Sequence, residues 1–239
     1  MKRFLSLAAD AIGPLHMGWR HVLFANWPVP PAVVEPHVPD ALQVDTYDGA
    51  AWLSVVPFTN VDVRPTWAPD GWGFPLPELN LRTYVSHHGT PGVYFFSLDA
   101  TGILGVLGAR LFHSLPYYLA DISIEVDDED VLFHSVRSHP GARPARYRGS
   151  YRPTGAEFQA TPGSIESFLV DRYRYYTEDQ ESAVRYAVVD HEPWPLYDAE
   201  VSTSENTLFV ANGFEQPETD PVYLYSPGVE TTASVSKRP

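Results

Sequence analysis

Four polar side chains interrupt an otherwise apolar stretch of this chain at every second position. In PELNLRTYVSH they are Glu78, Asn80, Arg82 and Tyr84, with Leu79, Leu81, Thr83 and Val85 between them. A strand sends successive side chains to opposite faces, so the four share one face. An acid and an arginine on such a face fit the inside of a barrel, where fields are less screened and ligand recognition is more exacting. They fit equally a surface ion pair on a solvated face, and the pattern alone leaves both open.

Other residues carry comparable chemistry. Arg110 lies in the glycine-punctuated run TGILGVLGARLFHS, Tyr117 and Tyr118 follow Pro116, and His191 and Trp194 sit in DHEPWPLY. Each suits a ligand contact and equally a hydrogen-bonded structural position. The chain has no cysteine, which excludes disulfides, thiolate catalysis and cysteine-ligated zinc. Its nine histidines show neither HExxH nor a close His-x-His spacing. Adjacent His87 and His88 would point to opposite faces of a strand, so no metal site is expected. GxSxG, Walker and dinucleotide-binding motifs are missing, and the acidic turn at residues 127–130 lacks the glycine and terminal glutamate of a calcium loop. Lysine occurs only as Lys2 and Lys237. The body of the chain therefore has no primary amine for a Schiff base.

The elements that must position these residues are mostly strands. Aromatic content of 13%, with 23 prolines and 16 glycines, favours strands and turns over a helical bundle. Alternation predicts a strand at Arg20–Trp27, then a short helix opened by Pro30 and Pro31 and closed by Pro36 and Pro39. LQVDTY and AAWLSVVPF are expected to form a hairpin around Asp48-Gly49. ELNLRTYVSH and VYFFSLDA form a second around HGTPG, and YYLADISIEV and VLFHSVRS a third around the acidic turn. PARYRGSYRP, YRYYT, AVRYAVVDH, PLYDAEVS and PVYLYS supply further strands, and Ser164 caps a short helix from Ile165. Helical spacing over residues 101–114, with Gly102, Gly105 and Gly108, predicts a helix lying close to a sheet; an irregular glycine-rich crossover is the alternative. RPTWAPDGWGFPLP, residues 64–77, reads as a loop pinned by its aromatics over a cavity mouth.

With 239 residues and no internal repeat or long linker, one domain is expected over residues 16–230. Residues 1–15 read as an amphipathic lead-in, because Asp10 interrupts the apolar run of a would-be signal peptide, and residues 231–239 as a frayed tail. No apolar run approaches the roughly 20 residues of a membrane helix. The net charge of −14 opposes binding to nucleic acid or to anionic membranes. A cytoplasmic protein is expected, with a homo-oligomer compatible with this reading.

The blocks WRHVLFANWPVPP, PELNLRTYVSHHGTPGVYFFSLDA, GARLFHSLPYYLADI and DHEPWPL together resemble the uncharacterised YqjF-like family, a relative of acetoacetate decarboxylase, over about residues 17–230. The resemblance implies a mostly β protein: one closed or half-closed antiparallel barrel with a few short peripheral helices. GARLFHSLPYYLAD is similar to the decarboxylase segment Gly-Arg ending in Gly-Phe-Pro-Lys-Lys, whose first lysine attacks the substrate ketone. Arg110 falls on its arginine, Pro116 on its proline, and Tyr117 and Tyr118 on its two lysines. Glu78 is similar in context to the decarboxylase's pocket glutamate. A phenol cannot form an imine, so the resemblance carries over the barrel and its cavity but not that reaction.

Two readings of function follow. In the first, a barrel cavity binds a small oxygenated organic molecule, a carbonyl compound or carboxylate. Glu78, Arg82 and Arg110 orient it, Tyr84, Tyr117, Tyr118, His191 and Trp194 line the site, and no cofactor takes part. The catalytic candidates are Tyr117, Tyr118 and Glu78, acting by non-covalent acid–base chemistry. In the second, the protein is a non-enzymatic scaffold whose barrel is filled with aromatics.

Overall fold

The computed structural model describes residues 13–102, 115–179 and 181–239. Among them are β1 (Leu15–Val29), β2 (Gln43–Val44), β3 (Ala51–Pro65), β4 (Phe74–His87), β5 (Thr90–Ala100) and β6 (Tyr117–Asp127). Then come β7 (Asp130–Arg137), β8 (Arg146–Phe158), β9 (Arg174–Glu178), β10 (Val184–His191), β11 (Leu196–Asn206) and β12 (Val222–Ala233). The helices are short: α1 (Pro31–Val34), α2 (Ile165–Val170) and α3 (Leu208–Ala211), with a 3-10 turn at Glu35–His37.

Hydrogen bonding runs in a ring. β1, β3, β4, β5, β9, β10 and β12 pair in that order, and β12 returns to β1. The ring is antiparallel except at β5–β9, and its joints are short there and at β10–β12, so the barrel is only partly closed. β6, β7, β8 and β11 leave β5 and return to β12 as a second curved layer. Each ring strand alternates between two cores. Val22, Phe24, Val56, Phe58 and Leu98 face the inside of the ring. Leu23, Ala25, Leu53, Leu79 and Leu81 face outward, onto Phe133, Tyr147 and Tyr151 of the second layer.

Local sequence explains the sharp turns. His88 and Gly89 both have positive φ, 48° and 76°, and make the two-residue hairpin turn between β4 and β5. Ser164 Oγ accepts the Ser167 N–H and caps α2. Gly228, with φ 131°, lets β12 cross β1 closely: a Cβ there would lie 1.8 Å from the Trp19 carbonyl oxygen.

The structure corrects several expectations. Around Asp48-Gly49 only Tyr47 bridges Ala50, and β2 pairs with β4 rather than β3. The segment 64–77 divides into the ends of β3 and β4 and a loop between, in which Trp67 and Trp72 are 71% and 77% exposed. Polar bonds hold it. The Asp62 carboxylate accepts Arg64 Nε and the N–H groups of Gly71 and Gly73, and Arg64 also reaches Asp70 and the Ala68 carbonyl. The expected frayed tail is bound to the barrel: β12 pairs to Ala233, Lys237 bridges Tyr186, and Arg238 meets Asp179 and Glu181. The lead-in up to residue 12, and the run 103–114 with Gly105, Gly108 and Arg110, lie outside the described residues.

Candidate functional site

Pairing across the ring gathers one set of side chains inside. On β3 and β4, Val56 stands opposite Asn80, Phe58 opposite Glu78 and Asn60 opposite Leu76. Asn80 in turn stands opposite Leu98 of β5, which stands opposite Tyr117 of β6. A register irregularity follows between Leu81 and Arg82, after which Arg82 faces Phe95. Cross-strand partners share a face, and all of these except Leu81 line an internal cavity of about 450 Å³. Its remaining wall is largely apolar and includes several aromatic rings. Trp19 stacks on Trp194 at 5.5 Å between ring centroids, and Phe24 meets Trp194 edge-on at 5.1 Å.

Glu78 is the buried acid of this cavity. Its Oε1 accepts Asn60 Nδ2 at 2.5 Å, and its Oε2 accepts the Tyr117 hydroxyl at 3.1 Å. Asn60 is held by a second bond, from Nδ2 to the Leu76 carbonyl at 3.0 Å. Burial raises the Glu78 pKa to about 7, against the opposing pull of the two donors. The group thus changes charge near neutrality and can give or take a proton there. Burial, with Glu78 beside it, pushes the Tyr117 phenol well above its usual value, so it stays protonated.

Asn80 and Arg82 complete the polar face. Asn80 Oδ1 and Arg82 Nε are buried with no hydrogen-bond partner among the described residues. Arg82 Nη2 reaches the Leu169 carbonyl at 3.4 Å, and its guanidinium lies 5.4 Å from the Phe24 ring centroid. Buried polar atoms left unpaired cost stability, and a bound ligand or water offers them partners. Tyr84 shares the strand face but not the cavity. Its hydroxyl lies within hydrogen-bond distance of Ser54 Oγ at 2.8 Å, Asn26 Oδ1 and the Leu169 carbonyl, and its single proton serves one of them at a time.

The tyrosine pair separates. Tyr117 and Tyr118 are neighbours on a strand, so their side chains leave on opposite faces. Tyr117 enters the cavity, whereas Tyr118 lies beneath the Arg137 guanidinium at 4.1 Å and against His139, in a different depression. Arg137 Nε donates to Asp99 Oδ1 at 2.8 Å in an ion pair buried on both sides. His191 and Trp194 both line the cavity. Trp194 Nε1 donates to the Val170 carbonyl, His191 Nδ1 pairs with the Glu192 carbonyl at 2.7 Å, and burial lowers the His191 pKa.

The sequence reading did not single out Asn60, Trp19, Phe95 or the cavity arginines Arg64, Arg172 and Arg174. Asn60 carried the signal that marked Glu78, a polar residue in register with an apolar alternation, since Val56, Phe58 and Asn60 recur at every second position. Among the described residues no group of three or more His, Cys, Asp or Glu is placed to hold a metal ion. Nor is any described helix long and apolar enough to cross a membrane.

The sequence pattern of the DUF2071 family, described as an uncharacterized conserved protein, matches residues 16–230. The chain belongs to that family. Its sequence is 41% identical over 218 residues to the uncharacterized protein YqjF of Bacillus subtilis, covering 91% of this chain and 89% of that one. Solved structures extend the likeness at the level of fold. The enduracididine biosynthesis enzyme MppR, complexed with pyruvate, superposes with a TM-score of 0.65 at 13% identity, covering 94% of this chain and 90% of its own. Acetoacetate decarboxylase from Legionella pneumophila gives 0.61 at 10% identity, with 95% and 87% covered. The family member described here is thus a mostly β, partly closed barrel of the acetoacetate decarboxylase type.

Proposed function

We propose that the cavity binds a small oxo acid or related carbonyl compound and exchanges a proton with it through Glu78, without a Schiff base. One observation carries this reading: a single strand face delivers Glu78, Asn80 and Arg82 into a mostly apolar cavity, where Asn80 Oδ1 and Arg82 Nε have no partner among the described residues. A ligand carbonyl or carboxylate oxygen suits Arg82, and Asn80 suits a ligand hydroxyl or water. Glu78, with a pKa of about 7, takes the hydrogen α to a carbonyl. The C–H electron pair then forms the carbon–carbon double bond, and the carbonyl oxygen becomes an enolate held by Arg82. The reverse transfer restores the ketone, so no cofactor is required. That MppR was solved with pyruvate makes a 2-oxo acid a sensible first probe.

No lysine lies between residues 17 and 230, and Lys237 is exposed. Tyr117, where the decarboxylase resemblance sets an amine, gives Glu78 a hydrogen bond instead. The rival reading of a barrel filled by aromatics gains no support from an interior cavity of about 450 Å³.

Thermal-shift measurements over a panel of 2-oxo and 3-oxo acids test binding, and deuterium uptake at the ligand's α-carbon in D₂O tests proton exchange. Stabilisation and uptake that Glu78→Gln abolishes are expected. A panel without any thermal shift refutes the proposal. Borohydride added with acetoacetate should leave residues 17–230 unlabelled, and a reductively trapped adduct there would restore amine chemistry.

A further inference from the structure

Along β4 the cavity presents polar side chains, and most of its remaining wall is apolar. Its cations away from β4 are already engaged: Arg64 by Asp62 and Asp70, Arg172 by Asp45 and the Phe168 carbonyl, and Arg174 over the Tyr186 ring. His191 Nδ1 and Trp194 Nε1 are likewise committed to backbone carbonyls. Among the described residues, the buried side-chain polar atoms of the lining without a partner, Asn80 Oδ1 and Arg82 Nε, both belong to β4, the strand that carries Glu78. The same cavity is lined by the rings of Trp19, Phe24, Phe58, Phe95 and Trp194, and by Leu76.

Size sharpens the asymmetry. At about 30 Å³ per water, the cavity's 450 Å³ corresponds to roughly 15 waters. Pyruvate or acetoacetate would displace only a few of these. Water against aromatic and aliphatic walls finds few hydrogen-bond partners, so an apolar group replaces it favourably. A polar head alone leaves that gain unused. An apolar body attached to the head collects it.

We infer that the ligand is an oxo acid bearing a bulky apolar body, an aromatic ring or a medium-length chain, with the head on β4 and the body against Trp19, Trp194 and Phe95. The inference rests on the proposed function and narrows it to a substrate class. Phe95 is the selecting position. It stands opposite Arg82 across the β4–β5 irregularity and is only partly buried, so it meets the body just beyond the head.

The experiment is calorimetric titration of the full chain with straight-chain 2-oxo acids of increasing length, starting at pyruvate, and with phenylpyruvate. Affinity should rise about fourfold per added methylene until the cavity is filled. Phenylpyruvate should bind on the order of a hundredfold more tightly than pyruvate. Phe95→Trp, which adds bulk without adding charge, should truncate the gain for the longer acids. Equal affinity across the series overturns the inference while the proposed function stands, because the head would then be all that is recognised. A length-dependent gain untouched by Phe95→Trp overturns the placement of the body. Absence of binding by every member removes the proposed function and the inference together.

Discussion

The Tyr117 hydroxyl donates to Glu78 Oε2 at 3.1 Å, joining two strands, β6 and β4, that are separated by β5. The contact is possible because Glu78 stands opposite Ala100 and Leu98 opposite Tyr117, which carries the interior face across three strands. Around this pair the acid is dry enough for its proton affinity to rise yet still held in place by donors.

Glu78 should make the protein less stable as pH rises. Its folded pKa is about 7 against 4.5 for the unconstrained group, so between those values the folded chain holds a proton that the unfolded chain has released. Stability falls through that window and levels off above it, by about 3 kcal/mol in order of magnitude. Asp99, raised to about 6 by burial, adds a slope of the same sign, so the Glu78 part is read by difference. Urea denaturation at intervals from pH 4.5 to 8 should show Glu78→Gln losing stability more gently than wild type. Parallel profiles would rule out the raised pKa.

Tyr117→Phe deletes a donor that favours the charged carboxylate, so the Glu78 pKa should rise further. ¹³C-NMR titration of the glutamate carboxyl carbons, assigned through Glu78→Gln, measures the midpoint. A stability loss of about 1 kcal/mol at pH 8 is expected alongside. A midpoint that stays or falls would mean that Tyr117 does not stabilise the ionised form.

The Asp99–Arg137 pair is structural. Both side chains are buried, so Arg137→Met should cost about 3–5 kcal/mol by stranding Asp99. The double variant Asp99→Leu/Arg137→Met should recover most of that loss. Denaturant midpoints of the two single variants and the double variant form the cycle, and additive losses would show no coupling.

Gly228→Ala should destabilise by on the order of 3 kcal/mol, since the new Cβ meets backbone rather than a movable side chain and φ is 131°. The displaced atom is the Trp19 carbonyl oxygen, so near-UV circular dichroism of the Trp19–Trp194 stack should change too. A wild-type melting temperature would show that β1 and β12 part at little cost.

Much of the framework was legible in the sequence because it is periodic or local. Alternation from Glu78 to Val85 gives a strand and its two faces, His88-Gly89 and Ser164 mark a turn and a cap, and the family resemblance implies the barrel. The loop within residues 64–77 was less legible, because Asp62 holds it through backbone N–H groups that composition does not reveal. The bound tail was equally hidden. TTASVSKRP reads as polar and terminal, but Ala233 and Lys237 find partners on β10 only once the ring brings that edge alongside.

By itself, the sequence determined that Glu78, Asn80 and Arg82 share a face and that no lysine stands in the body of the chain. Both are properties of order and composition. Tertiary structure decided which face is the inside, that Tyr117 joins Glu78 while Tyr118 turns to Arg137, and that Tyr84 spends its hydroxyl on Asn26, Ser54 and Leu169. The physical reason is that a strand's own period fixes only relative facing. Inside and outside, and with them the dielectric that moves the Glu78 pKa toward neutrality, exist only when seven strands have closed most of a ring.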